Sequence, residues 1–197
     1  MLLVQREGIN SSPLTGAYRG REDFMANDET KKLKAGINRT VRDLIIKGIL
    51  IIVFILALFV VFFGIIIAPD PSMEPAVKSG DVIMFYRLDK NYVLHDLVVV
   101  SHDDNKQIRR VVAKGGDEVD IADGNLIVNG ALQQEKNIIT PTERYETGIE
   151  FPLTVPSGYI FVLNDDRNFG TDSRTYGTVA VEDTFGKAMT LLRIRGI

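Results

Sequence analysis

Ser72 stands in Pro71-Ser72-Met73-Glu74-Pro75, between a long apolar run and the first β-rich segment of the chain. A serine followed closely by proline commonly marks a turn. One lying about four residues beyond a membrane-length run is also well placed to attack something emerging from a bilayer, provided a base takes its proton. The rest of the 197 residues narrow that chemistry. There is no cysteine, so thiol nucleophiles, disulfides and Cys-ligated zinc are excluded. His95 and His102, seven apart beside Asp96 and Asp103, read as solvated turn residues rather than a metal pair. The net charge of −3 is too weak and too acidic for a nucleic-acid partner.

The elements that must position Ser72 begin with residues 48–68, GILIIVFILALFVVFFGIIIA, which hold 19 apolar positions in 21 and no charge. At about 1.5 Å per helical residue the run spans roughly 31 Å, the hydrocarbon thickness of a bilayer. A transmembrane helix over 44–68 follows, which excludes a wholly soluble protein and a polytopic transporter. Lys31, Lys32, Lys34, Arg39, Arg42 and Lys47 precede it against one acid, Asp43, whereas 68–85 offers only Lys78 among Asp70, Glu74 and Asp81. The positive-inside rule places the N-terminus in the cytoplasm and the domain after the run outside, a single-pass cell-membrane protein. The length of the run, its start near position 48 and the APDPSMEP that follows argue against a cleaved signal peptide. Residues 1–43 read as a mostly disordered basic tail. Met25 is itself a plausible start, which would make 1–24 a start-site artefact.

Beyond the run, residues 69–197 carry 14 Lys and Arg against 20 Asp and Glu. They read as short β-rich segments separated by turn chemistry: VIMFYR (82–87), LVVVS (97–101), QIRRVVA (107–113), YIFVL (159–163) and AMTLLRIR (188–195). Asp123-Gly124, between EVDI and NLIVNG, gives the clearest hairpin signal. Residues 130–157, polar and punctuated by proline, read as an inserted flap or smaller subdomain. The expected fold is mostly β, one N-terminal transmembrane helix followed by a compact extracytoplasmic domain.

Three blocks in this domain resemble the type I signal peptidases. Ser72-Met73-Glu74-Pro75 is similar to the family's Ser-Met-x-Pro box, in which the serine is the nucleophile. Arg110-Val111-Val112-Ala113-Lys114-Gly115-Gly116-Asp117 is similar to its Lys-Arg-Val-Ile-Gly-x-Pro-Gly-Asp stretch without the lysine. Asn164-Asp165-Asp166-Arg167-Asn168 through Asp172-Ser173-Arg174 and Tyr176-Gly177 is similar to its Gly-Asp-Asn-Arg … Asp-Ser-Arg-x-Phe-Gly box. The order, the spacing and the preceding anchor agree over about residues 44–195. The resemblance implies a coiled β-sheet domain of the Ser/Lys-protease type that removes signal peptides from exported or surface preproteins without metal or cofactor. Serine would attack the scissile carbonyl, with its own N–H in the oxyanion hole. A neutral lysine, its charged form penalised by burial, would act as base, and an acyl-enzyme would then be hydrolysed. Substrate would lie extended against a strand edge, with small pockets selecting Ala-x-Ala-like residues.

The pattern departs at the site itself. Arg109 stands where the family has its lysine, and a guanidinium cannot take a proton from serine. Lys114 and Lys106 lie at odd offsets from it, on the other face of a regular strand, so either needs a bulge or register shift to serve. Gly170 stands where many relatives have a serine that holds the lysine. Asp70 stands two residues before Ser72, a position that the resemblance implies can contribute to the oxyanion hole, where a carboxylate would oppose the developing charge. One expectation is that Arg109 pairs with Asp70 or Asp165. Asp172 and Arg174 read as a scaffold ion pair bracketing Ser173, and Arg110 accompanies Asp165 among the supporting residues. Met73 and Pro75 are expected to pack the turn and approach lipid, and Met84-Phe85-Tyr86 to be a core strand.

The leading expectation is a membrane-anchored signal peptidase-like serine endopeptidase, with Ser72 and Arg109 at the dyad positions. The alternative is a catalytically silent relative that binds exported chains and assists assembly, for example of pilins, in contact with secretion or pilus machinery.

Overall fold

The computed structural model describes residues 13–136 and 138–193, and divides after Leu56. The first element is helix α1, Pro13–Phe62. Its 38–62 stretch is long and apolar enough to cross a membrane, and none of it is buried within the protein. From Pro13 to that stretch the chain is helical as well, where the sequence reading expected a mostly disordered tail over 1–43, of which 1–12 lie outside the described residues. Helix-favouring Lys, Ala and Leu over 31–35 and the Asp28–Lys32 pair at 2.7 Å, one turn apart, favour the helix without any apolar periodicity to signal it. The start-site reading over 1–24 concerns residues whose side chains all lie outside the described ones.

The apolar run does not stay helical to residue 68. It turns into strand β1 (Phe63–Ile67), which pairs antiparallel with β2 (Val82–Tyr86) in register Ile65↔Met84. Three isoleucines suit a pleated surface. Gly64 is required there, because a Cβ at that position would lie 2.2 Å from the Phe85 ring. Arg87 caps the junction, its N–H donating to the Phe62 carbonyl at 2.9 Å and its Nε to that of Phe63 at 3.0 Å. The helix over 44–68 is therefore corrected to one ending at Phe62.

Strands β3 (Leu97–His102) and β4 (Asn105–Lys114) form a hairpin with Val98 opposite Arg109. A second hairpin, β5 (Glu118–Ala122) and β6 (Asn125–Val128), turns at Asp123 and Gly124, whose φ of 50° and 73° match the sequence signal. Strands β7 (Ala131–Leu132) and β8 (Leu153–Thr154) join that hairpin in a four-stranded sheet. The smaller subdomain thus begins at Glu118 and shares the sheet of the hairpin, rather than being an insertion at 130–157. Strand β9 (Tyr159–Leu163) then leads to the one-turn helix α2 (Ser173–Tyr176). Strands β10 (Val179–Ala180) and β11 (Gly186–Leu192) complete a seven-stranded sheet of order β1-β2-β11-β3-β4-β9-β10. Ile66, Met73, Val77, Ile83, Phe85, Val99 and Ile108 form the core beneath the Ser72 turn.

Candidate active site

Ser72 sits on a loop pinned at its base, where the Ala68 N–H donates to the Asp81 carbonyl at 2.8 Å and the Gly80 N–H to that of Ala68 at 3.0 Å. Inside the loop Met73 is 2% exposed against the core. It therefore holds the turn from below and does not face outward toward lipid, whereas Pro75 is exposed. The main chain of Ser72 is fixed at both ends: its carbonyl accepts from the Asp166 N–H at 2.9 Å, and its N–H donates to Asp70 Oδ1 at 2.9 Å. The donor expected to be free for an oxyanion is held by a carboxylate.

Arg109, 2% exposed, projects from β4 to the same point. Its Nη1 donates to Ser72 Oγ at 3.0 Å and to the Ile108 carbonyl at 2.7 Å. Its Nε and Nη2 donate to the Thr171 carbonyl at 3.1 and 2.8 Å. The expected ion pair with Asp70 or Asp165 does not form, because each carboxylate is engaged nearer by. Asp70 folds back onto Ser72, and Asp165 binds Arg110 through two bonds of 2.6 and 2.5 Å, which push the Arg110 guanidinium above its usual range. Neighbouring β4 residues point to opposite faces, so Arg109 and Arg110 serve different partners.

Behind Arg109 the third block closes into a polar network. Asp172 caps α2, accepting from the Arg174 N–H at 3.0 Å and from the Arg174 guanidinium at 2.8 and 2.9 Å. It also accepts the Asn164 N–H at 3.1 Å, and Ser173 Oγ accepts that of Val162 at 3.0 Å. Arg167, unassigned by the motif reading, is 1% exposed and ties the site to the small subdomain through Thr142 Oγ1 and Glu135 Oε1, both at 2.6 Å. An arginine directly after two aspartates in a matched block was the available signal. The Tyr176 ring lies 4.2 Å from that of His102, tilted by 30°, and its hydroxyl has no hydrogen-bond partner among the described residues. Burial pushes that hydroxyl up to about 12, partly offset by the nearby charge of Arg109.

Gly170 has φ +69°, and a Cβ there would lie 3.8 Å from Ser72 Cβ and 3.6 Å from Asn164 Nδ2. The glycine thus removes a side chain that would have entered the site. Strand β4 does contain a bulge, between Val111 and Ala113, yet Lys114 stays exposed about 16 Å along the strand from Arg109. Lys106 is also exposed and lies over the Phe185 ring at 4.6 Å. Among the described residues, the side chain bonded to Ser72 Oγ is that of Arg109.

Ser72 and Arg109 of β4, the residues singled out by the resemblance, thus meet through one hydrogen bond, and a family model described as "Signal peptidase, peptidase S26" matches residues 41–192. The chain belongs to that family. It is 31% identical over 137 residues to thylakoidal processing peptidase 1, chloroplastic, of Arabidopsis thaliana, covering 61% of this chain and 39% of that one. It is 33% identical over 133 residues to probable signal peptidase I-2 of Synechocystis, covering 61% and 58%. The chain therefore spans between about two fifths and three fifths of the length of these relatives. A crystal structure of a signal peptidase I from Enterococcus faecalis V583 is similar with a TM-score of 0.41 and 25% identity, over 51% of this chain and 97% of that one.

Proposed function

We propose that this chain is a membrane-anchored serine endopeptidase of the signal peptidase type, removing signal peptides from exported preproteins with Ser72 as nucleophile. The contact of Arg109 Nη1 with Ser72 Oγ at 3.0 Å carries the reading, since it brings the family's nucleophile and base positions together in a buried site. Family membership supports the substrate class. The helix over 38–62 supports the anchor, and the six cations over 31–47 favour a single pass with the domain on the outer face. An extended substrate would lie against a strand edge beside Ser72, adding main-chain hydrogen bonds.

A second reading is a catalytically silent relative that holds exported chains for secretion or pilus assembly. It is favoured by the same contact read chemically: Arg109 donates to Ser72 and cannot accept its proton. Cleavage of an Ala-x-Ala preprotein in detergent by wild type, Ser72→Ala, Arg109→Lys and Arg109→Lys/Gly170→Ser separates the two. The endopeptidase reading expects turnover by wild type and background levels for Ser72→Ala. Turnover that appears only in the lysine variants supports the silent relative.

A further inference from the structure

We propose that Asp70 is the general base for Ser72, so that a carboxylate two residues before the nucleophile replaces the lysine that β4 lacks. The proposal rests on the reading of Ser72 as a nucleophile. Arg109 Nη1 donates to Ser72 Oγ, and a hydroxyl accepting from a cation must direct its own proton elsewhere. Among the described residues no acceptor takes that proton. Asp70 is already on Ser72, with Oδ1 accepting its N–H at 2.9 Å, while Oδ2 has no hydrogen-bond partner among the described residues. One unused donor and one unused acceptor therefore lie on side chains two residues apart, already joined through the main chain. The second bond would form by side-chain rotation, as catalytic hydrogen bonds often do only when substrate is bound. The other carboxylates of the site are occupied, Asp165 by Arg110 and Asp172 by Arg174.

In the acylation step the Ser72 proton passes to Asp70 Oδ2 as Oγ bonds to the scissile carbonyl carbon and the π pair moves onto the carbonyl oxygen. Asp70, now neutral, is a weaker acceptor and releases the Ser72 N–H to the new oxyanion. The carboxylate is thus uncharged while the oxyanion exists, which removes the repulsion its sequence position suggests. Arg109, fixed by the Thr171 and Ile108 carbonyls, holds positive charge against Oγ as the proton leaves. Asp70 then gives the proton to the departing amine as the C–N bond breaks, leaving acyl-Ser72 and an ionised carboxylate. Asp70 next accepts a proton from the water that attacks the acyl carbonyl, and returns it to Ser72 Oγ as the ester breaks.

The test uses the full chain in detergent with two substrates, an Ala-x-Ala preprotein and a p-nitrophenyl ester of an acylated peptide ending in alanine. Acylation of Ser72 is read by intact mass and nitrophenolate release. Asp70→Asn keeps an acceptor for the Ser72 N–H but cannot take a proton, so acylation is expected to slow by about 100-fold or more at unchanged thermal stability. Asp70→Ala is expected to regain about tenfold or more on adding formate, which supplies the missing carboxylate. Acylation by Asp70→Asn within about threefold of wild type overturns the proposal, and so does faster acylation, the result expected if the carboxylate only repels the oxyanion. Wild type that acylates Ser72 but leaves the preprotein intact counts against the endopeptidase reading while the Asp70 comparison stands. Failure of wild type to acylate at Ser72 overturns both.

Discussion

Arg174 and Arg109 are both buried arginines of the same region, at 1% and 2% exposure, yet they are neutralised differently. Arg174 meets the carboxylate of Asp172 in a fork, with Arg167 and Glu143 carbonyls on its remaining face and the Tyr145 ring 4.4 Å from its charge. Arg109 makes its hydrogen bonds to two main-chain carbonyls and one serine, none of them charged. A buried cation with a carboxylate partner is a fixed strut, because separating the pair leaves an uncompensated charge. A cation held by dipoles keeps an unspent field, and here that field falls on Ser72 Oγ. The first arrangement braces the site, and the second leaves a charge against the Ser72 hydroxyl.

The largest effect should come from breaking the strut. Asp172→Ala is expected to cost about 3–5 kcal/mol in stability, or to prevent folding, because it strands Arg174 and removes the α2 cap at once. Thermal and denaturant unfolding of the purified chain measures it. Ser72→Ala removes one neutral acceptor from Arg109 and should cost only about 1–2 kcal/mol in stability, while under the proposed function it abolishes cleavage. If Ser72→Ala destabilised as much as Asp172→Ala, the distinction between strut and acting charge would fail.

The smallest effect concerns Tyr176, whose buried hydroxyl is raised to about 12. The folded state keeps this proton at pH values where the unfolded state has lost it. The stability from its neutral form is therefore complete below about pH 10, and it declines as pH rises from there toward 12. Tyr176→Phe should flatten that alkaline decline and leave neutral-pH stability within about 1 kcal/mol, or slightly improved by loss of an unpartnered hydroxyl. Parallel unfolding curves for wild type and variant at pH 8 and pH 11 decide this.

Most strands were legible in the sequence because short alternating runs bounded by glycine, aspartate or asparagine report directly on a pleated, half-buried surface. Strand β1 was not. An apolar run without polar positions has no period, so its isoleucines fitted a longer helix until the ladder to β2 was seen. The meeting of Ser72 with position 109 was legible from the blocks, but the other partners of Arg109 were not. Thr171 and Ile108 contribute carbonyls, and main-chain groups carry no residue-type signal. Asp70 was legible as a misplaced charge, whereas its grip on the Ser72 N–H depended on how the 68–81 loop closed.

By itself, then, the sequence determined the membrane-length apolar segment and the β character of the domain, since these follow from composition and periodicity, while the resemblance of its blocks to one family singled out Ser72 and Arg109. Tertiary structure alone decided where helix gives way to strand, that Arg109 is held by carbonyls and a serine rather than by a carboxylate, and that Asp70 and Arg109 meet at one serine. Those outcomes turn on competition among partners far apart in the chain, settled by which groups are brought within hydrogen-bond reach.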